Sequence, residues 1–393
     1  MWLHPWVINP RSIPGRGNLL LSALESAFVK GETVRRIVWL AITLLFAVAT
    51  SRAVLAQANP QDAAVKKALG YMRTQQGADG TFAGFGAGST ADAIYALTAA
   101  GANAADFRNG QASAVDGLVK LAPEAAKDAG VAAKFVLAAL DAGQNPRSLG
   151  GTDVLAAVEK SYNSATGRYG KDVTGHALAL LALHAAGSTI PPEAIAALEK
   201  LQLSDGGWSF DGTTASGSDT NTTSLAYQAL VSTGGTDQAR QKVMAYFHAQ
   251  QNADGGFPYS QTSKFGNASD ANSTALSIQA ILASGQSPND WAKNGKTPLD
   301  RLLAFQNPSG AFRFQDAQPA DNQLATYQAV PAVVGKPYPL KVMAAQPGVS
   351  TQNGATAPTR LPTTGGLPAP LLPLLAFGLA VMAAGLVVRQ RRV

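Results

Sequence analysis

There is no cysteine among the 393 residues. Disulfides, a thiolate nucleophile and a cysteine zinc site are thereby excluded, and an exported form must be held together by its own core. Histidine is nearly as scarce: after residue 56 only His176, His184 and His248 occur. His176 and His184 stand eight positions apart and His248 lies far along the chain, which is not a metal-ligand spacing, so no metal site is expected. The formal charge of +6 is absent from the body of the chain. Six Lys/Arg and two Asp/Glu precede residue 57 and three Arg follow residue 364, so the stretch between carries 22 basic against 23 acidic residues. The basic balance belongs to the ends, and nucleic acid is not an expected partner.

What is present is a repeat. A glycine followed two positions on by an aromatic recurs as Gly80-Thr81-Phe82, Gly167-Arg168-Tyr169, Gly206-Gly207-Trp208, Gly255-Gly256-Phe257 and Gly310-Ala311-Phe312. Gln202, Gln251 and Gln306 precede three of these copies. Around the copies, six pairs of helical segments are predicted. The first members, near 62–75, 112–121, 153–162, 192–202, 237–250 and 298–306, carry charges at helical spacing and read as half-exposed. The second members, near 89–100, 130–142, 173–186, 221–233, 272–284 and 322–334, are almost free of charge, with Lys134 the main intruder, and read as buried. Each is followed by a glycine: Gly101, Gly143, Gly187, Gly234, Gly285 and Gly335. Pro331 predicts a kink or early stop in the last one. The pair at 112–143 lacks the glycine-aromatic loop. Six exposed and six buried helices suggest two concentric rings.

The ends read as targeting segments. Arg35-Arg36, the apolar run 37–49 and the small-residue site Val54-Leu55-Ala56 make 34–56 a signal peptide, with Gln57 the mature N-terminus. Residues 1–33 read as an over-extended gene start. At the other end stand Leu361-Pro362-Thr363-Thr364-Gly365, an apolar stretch 371–388 and a tail with three Arg. This resembles the sortase sorting signal of bacterial surface proteins. The resemblance implies cleavage between Thr364 and Gly365 by a sortase-type transpeptidase and attachment to the cell wall. Without it the segment reads as a transmembrane anchor with a cytoplasmic tail. The domain plan is therefore 1–33, 34–56, a repeat domain at 57–340, a flexible linker at 341–360 and the sorting signal at 361–393. An exported monomer at the cell surface is expected.

The repeat also carries a resemblance. Gln202-Leu203-Ser204-Asp205-Gly206-Gly207-Trp208 resembles the QW-type motif of squalene–hopene cyclases. Similar loops occur in protein prenyltransferase β subunits and in cobalamin carriers of the intrinsic factor and transcobalamin type. Ser269-Asp270-Ala271-Asn272-Ser273-Thr274-Ala275 resembles bacterial proteins with prenyltransferase/squalene-oxidase repeats. The resemblance covers about 60–339 and implies an all-α fold, an (α/α)6 toroid with a central cavity. It implies no single function, because one toroid serves cyclases, transferases and carriers. Squalene cyclases use a DxDD acid, and no such run occurs here. Protein prenyltransferases hold zinc with Asp, Cys and His, and there is no Cys. The animal cobalamin carriers add a β domain that nothing here encodes.

The starts of the buried helices hold the candidate site residues. Asp172, Asp219, Asp270 and Asp321 lie at similar distances before the closing glycines. Helix capping accounts for such residues, but His176, Asn221, Thr223, Asn272, Thr274 and Asn322 extend beyond a single cap. In a toroid all six starts share one rim, so these residues should ring one mouth and contact a ligand. Tyr227 and Tyr327 each precede a Gln-Ala pair and read as equivalent positions, lining the cavity or packing the core. The leading expectation is a non-catalytic protein that binds a small molecule at that mouth: an isoprenoid or other lipid, or a corrinoid. No cofactor is expected. The alternatives are an adhesive or structural wall protein, and a terpene cyclase- or prenyltransferase-like enzyme with Asp219 or Asp270 as its acid.

Overall fold

The computed structural model describes residues 60–343 apart from 265. The segments expected to be the gene-start extension and signal peptide, most of the expected linker and the expected sorting signal lie outside the described residues. Among the described residues no helix is long and apolar enough to cross a membrane.

Helices pair along the chain as the sequence pattern predicts. They are α1 (Pro60–Gln75) with α2 (Gly88–Ala99), α3 (Ala114–Ala125) with α4 (Ala129–Asp141), α5 (Val154–Lys160) with α6 (Val173–Ala185), α7 (Pro192–Lys200) with α8 (Thr220–Thr233), α9 (Asp237–Gln250) with α10 (Ala271–Ala283), and α11 (Pro298–Ala304) with α12 (Gln323–Val333). Apolar coverage decides the layer of each. In α7 only Ala194 and Leu198 are buried, one face of an amphipathic helix, and Pro192 occupies the first turn, where a missing N–H costs nothing. In α6 nearly every residue from Val173 to Ala185 is buried. Such a helix needs neighbours all round. It finds them in a closed inner ring, in which α2, α4, α6, α8, α10 and α12 each pack on the next and α12 packs on α2. The odd-numbered helices form the outer layer, and α1 lies against α12 to complete it.

Two details depart from the sequence expectation. The helix α12 continues to Val333 with Pro331 inside it: Pro331 forfeits the N–H that would bond Tyr327 O, and only two helical residues follow it. The fold is not purely helical either. One loop pairs β1 (Tyr162–Asn163) with β2 (Arg168–Tyr169), and another pairs β3 (Phe312–Gln315) with β4 (Gln318–Asn322), both antiparallel.

The repeat loops bolt each helical pair to the next. Gly206 has φ +91°, and a Cβ there would lie 2.5 Å from the Lys242 carbonyl oxygen on α9, so glycine alone permits this approach. Gln202 Nε2 donates to Gly206 O and to Ala239 O on α9, both at 2.9 Å. Gln251 joins Gly255 O to Trp291 O in the same way. Gln306 joins Gly310 O to Ala64 O, and since Ala64 belongs to α1, this bond seals the ring. Gln76, not singled out in the sequence, is a fourth copy, bonding Gly80 O and Phe107 O. The aromatics Trp208, Phe257 and Phe312 that follow are fully buried.

Candidate functional site

The inner helices begin at one rim, and except on α2, where Ala87 offers no side-chain cap, their first turns are capped by side chains that the sequence placed there. Asp128 accepts from Gly130 N and Val131 N on α4. Asp172, Asp219 and Asp270 each accept from a backbone N–H three residues on, at 2.7 Å, on α6, α8 and α10. A carboxylate at a helix N-terminus also meets the positive end of the helix dipole. On α12 the cap is Asn322, which accepts from Ala325 N at 2.9 Å, and not Asp321. Asp321 sits on β4, where it receives Asn307 Nδ2 and Ser309 Oγ and ties down its loop.

A fixed register sorts the residues that follow. Thr90, His176, Thr223, Thr274 and Thr326 point away from the axis. Each accepts the N–H of a repeat aromatic (Phe82, Tyr169, Trp208, Phe257 and Phe312 respectively) at 2.9–3.1 Å. Because His176 Nδ1 is the acceptor, its Nε2 carries the proton and donates to Ala194 O at 3.0 Å. Burial lowers its pKa to about 4, so the imidazole is neutral at pH 7.

Two positions to either side of that register the helices face the axis. There Gly88, Thr174 and Leu324 form an upper layer, and Asp92, Leu178 and Gln328 a lower one. With Val131 and Lys134 of α4 and the loop residues Phe85 and Phe210, they line an open cleft of ≈ 310 Å³. Phe85 is 82% and Phe210 51% exposed. Asp92, Lys134, Leu178 and Gln328 form a waist shared with a smaller inner cavity of ≈ 30 Å³, which reaches Leu225, Leu276 and Tyr327. At the waist Lys134 Nζ lies 2.8 Å from Asp92 Oδ2, both largely removed from solvent. Gln328 Oε1 accepts from Asn272 Nδ2 at 2.7 Å.

The opposite end is closed by the chain itself. After α12 the segment 335–343 crosses the C-terminal ends of the inner helices. Tyr338 stacks on Tyr95 with ring centroids 3.8 Å apart and planes 13° from parallel. Its N–H donates to Gln228 Oε1 at 2.8 Å. Desolvation, with the nearby Asp92 and Asp141 carboxylates, holds its phenol proton on well above the usual tyrosine range. Lys341 Nζ donates to Asp141 O and Met343 N to Ala185 O. The central space is therefore a cup with one mouth.

Of the residues proposed from sequence, Asp172 lines the mouth, Tyr327 lines the inner cavity and Asn272 bonds the waist residue Gln328. His176, Thr223 and Thr274 bond the repeat loops. Asp219 and Asp270 are buried caps outside the cleft lining, and Asn221 stands on the first turn of α8. Tyr227 and Tyr327 are not equivalent. Tyr227 lies four residues after Thr223, whereas Tyr327 lies one residue after Thr326, so the shared Tyr-Gln-Ala string falls on different faces. Asp92 matches in sequence the polar residues that begin the other inner helices, whereas its partner Lys134 and the rim aromatics Phe85 and Phe210 were not proposed from sequence. The signal for the pair was available: Lys134 is the one Lys or Arg on any inner helix. Among the described residues no group of three His, Cys, Asp or Glu side chains is placed to hold a metal ion.

No family model matches the chain. No curated protein matches it either. Solved structures do. A variant of a type II terpene cyclase from Scytonema, without ligand, superposes with TM-score 0.53 at 13% identity, covering 72% of this chain and 98% of its own. The same enzyme, as a variant in complex with geranylgeranyl dihydroxybenzoate, superposes with TM-score 0.51 at 14% identity over 70% and 97%. Haptocorrin in complex with Cbi gives TM-score 0.44 at 13% identity over 75% and 71%, too low to carry an argument. At these identities the likeness concerns the fold, and the fold of this chain is the terpenoid cyclase-like α/α toroid.

Proposed function

We propose that the toroid binds a small isoprenoid or related lipid in the rim cleft and does not transform it. The observation that carries this reading is the cleft itself, an open, one-ended space with two solvent-exposed phenylalanines at its lip. Exposed aromatics beside a concave site are what a ligand with an apolar body requires. A volume of ≈ 310 Å³ stands at the low end of small-molecule sites and suits a chain or a small ring better than a corrinoid. The Scytonema cyclase, built on the same fold, was crystallised with a geranylgeranyl compound, which supports the ligand class. Binding without turnover is favoured because Asp219 and Asp270 engage helix starts outside the cleft. The sequence segments 34–56 and 361–393 would export the protein and hand it to a sortase-type enzyme for attachment to the wall.

Native mass spectrometry of the purified protein with squalene, geranylgeraniol and cobalamin in competition tests the proposal. One isoprenoid bound per chain is the expected result. Cyclisation leaves mass unchanged, so the ligand is extracted and chromatographed: an isomerised product would establish an enzyme. A bare protein mass with every ligand would move the function to the outer surface.

A further inference from the structure

The six inner helices carry three charged residues, Asp92, Lys134 and Asp141. Two of these form the waist pair, the one ion pair joining two inner helices among the described residues. Burying a charge pair is costly, and well-packed apolar side chains often replace such a pair without loss of stability. Its position is therefore informative. It lies one helical turn below a lip at which Phe85, Phe210 and Leu324 offer apolar surface beside the Asp128 and Asp172 caps. Below it the space narrows to ≈ 30 Å³. The pair is thus the polar floor of the cleft, with Phe85, Phe210 and the capping carboxylates Asp128 and Asp172 above it and a space too narrow for a ligand, lined mainly by Leu225, Leu276 and Tyr327, below.

From that placement we infer that the cleft takes an amphiphile head-first, with an uncharged hydrogen-bonding head group on the Asp92–Lys134 pair and the apolar body against Phe85 and Phe210. The inference rests on the cleft being the binding site. The head is uncharged for two reasons. The pair is already internally neutral, offering an ammonium donor and a carboxylate acceptor to one hydroxyl or amide. An anionic head would displace Asp92 from Lys134 and would pass Asp128 and Asp172, whose carboxylates also line the cleft. The positive helix ends that would attract an anion are already met by those two capping carboxylates. A prenyl alcohol fits this site and a prenyl diphosphate does not.

The test is calorimetric titration of the full chain with geranylgeraniol and with geranylgeranyl diphosphate, with squalene as the headless control. Geranylgeraniol should bind at least tenfold more tightly than the diphosphate. Tighter binding of the diphosphate, or equal affinity for the two, would overturn the head-group assignment while leaving the cleft as a site. Failure of all three to bind would remove the site and the head-group inference together. The double variant Asp92→Leu with Lys134→Met replaces the pair by apolar side chains and avoids stranding one buried charge. Its thermal transition checks folding. It should lose at least tenfold in geranylgeraniol affinity and nothing in squalene affinity. An unchanged affinity for geranylgeraniol in the folded double variant would also overturn the inference.

Discussion

Thr223 shows how much depends on one hydroxyl. It accepts the Trp208 N–H at 2.9 Å, and the Trp208 indole, fully buried, donates to Leu198 O at 2.7 Å. Thr223→Val keeps the shape and strands a buried donor, which should cost about 1–3 kcal/mol. Trp208→Ala should cost ~3–5 kcal/mol. Urea denaturation midpoints check both. His176 does the same work with an imidazole, and its folded pKa of about 4 lies below the ordinary 6.5. The stabilisation it brings is complete above pH 6.5 and is lost as pH falls from 6.5 towards 4. His176→Thr, which copies the other four repeats, should remove that acid-side slope from a stability-versus-pH curve. Asp270 works in the opposite sense. Burial raises its carboxyl to about 6 from 3.8, so the folded state holds the proton more tightly and stability falls as pH rises from 3.8 to 6. Asp270→Asn, still a good cap, should flatten that fall. Residue identities made the caps legible in the sequence, yet neighbouring candidates were separated only by register. Asn322 caps where Asp321 was expected. Thr223 and Thr274 face the loops, and Tyr227 and Tyr327 part company despite a shared tripeptide. Side-chain direction depends on the count from the helix start, and loops of unequal length hide that start.

At the scale of elements, the helical pairs were readable because charge and apolar residues alternate by segment, and glycines end the inner helices with positive φ, as at Gly234 (+84°). The pairing of each loop with the next outer helix was not readable, since it joins residues far apart in the chain. Two glycines separate the contributions. Gly234 has open space around its missing Cβ, so Gly234→Ala should cost only the left-handed backbone penalty of about 1–2 kcal/mol. Gly206→Ala adds a collision with the Lys242 carbonyl oxygen and should cost clearly more, measured by the same urea midpoints. The closing segment 335–343 was invisible in the sequence, where residues beyond 340 read as a linker. Its Tyr338 ring lies against Tyr95, and truncation would leave more empty space than a leucine does, so Tyr338→Ala should lower the thermal midpoint more than Tyr338→Leu.

For the whole molecule, ring closure rests on contacts between the first and last pairs. Gln306 reaches Ala64, and a Cβ on Gly310 would lie 2.3 Å from the Lys67 carbonyl oxygen. Closure gives the inner helices a common axis and puts their starts around one mouth, which turns repeat chemistry into a site. The polar cup was only half legible beforehand. The rim was expected from the toroid, but its lining lies on α2, α4, α6 and α12, with α8 and α10 contributing mainly below the waist. Lys134, read as an intruder in a buried helix, marks the charged waist of the cup. The central claim is that a lipid occupies this mouth. It is tested most directly by the affinity of geranylgeraniol for the wild-type protein and for the Phe85→Ser, Phe210→Ser double variant, whose substitutions lie at exposed positions and leave the core intact. The account predicts at least a tenfold loss in the variant with an unchanged thermal transition. An affinity equal to wild type would place the ligand elsewhere and contradict it.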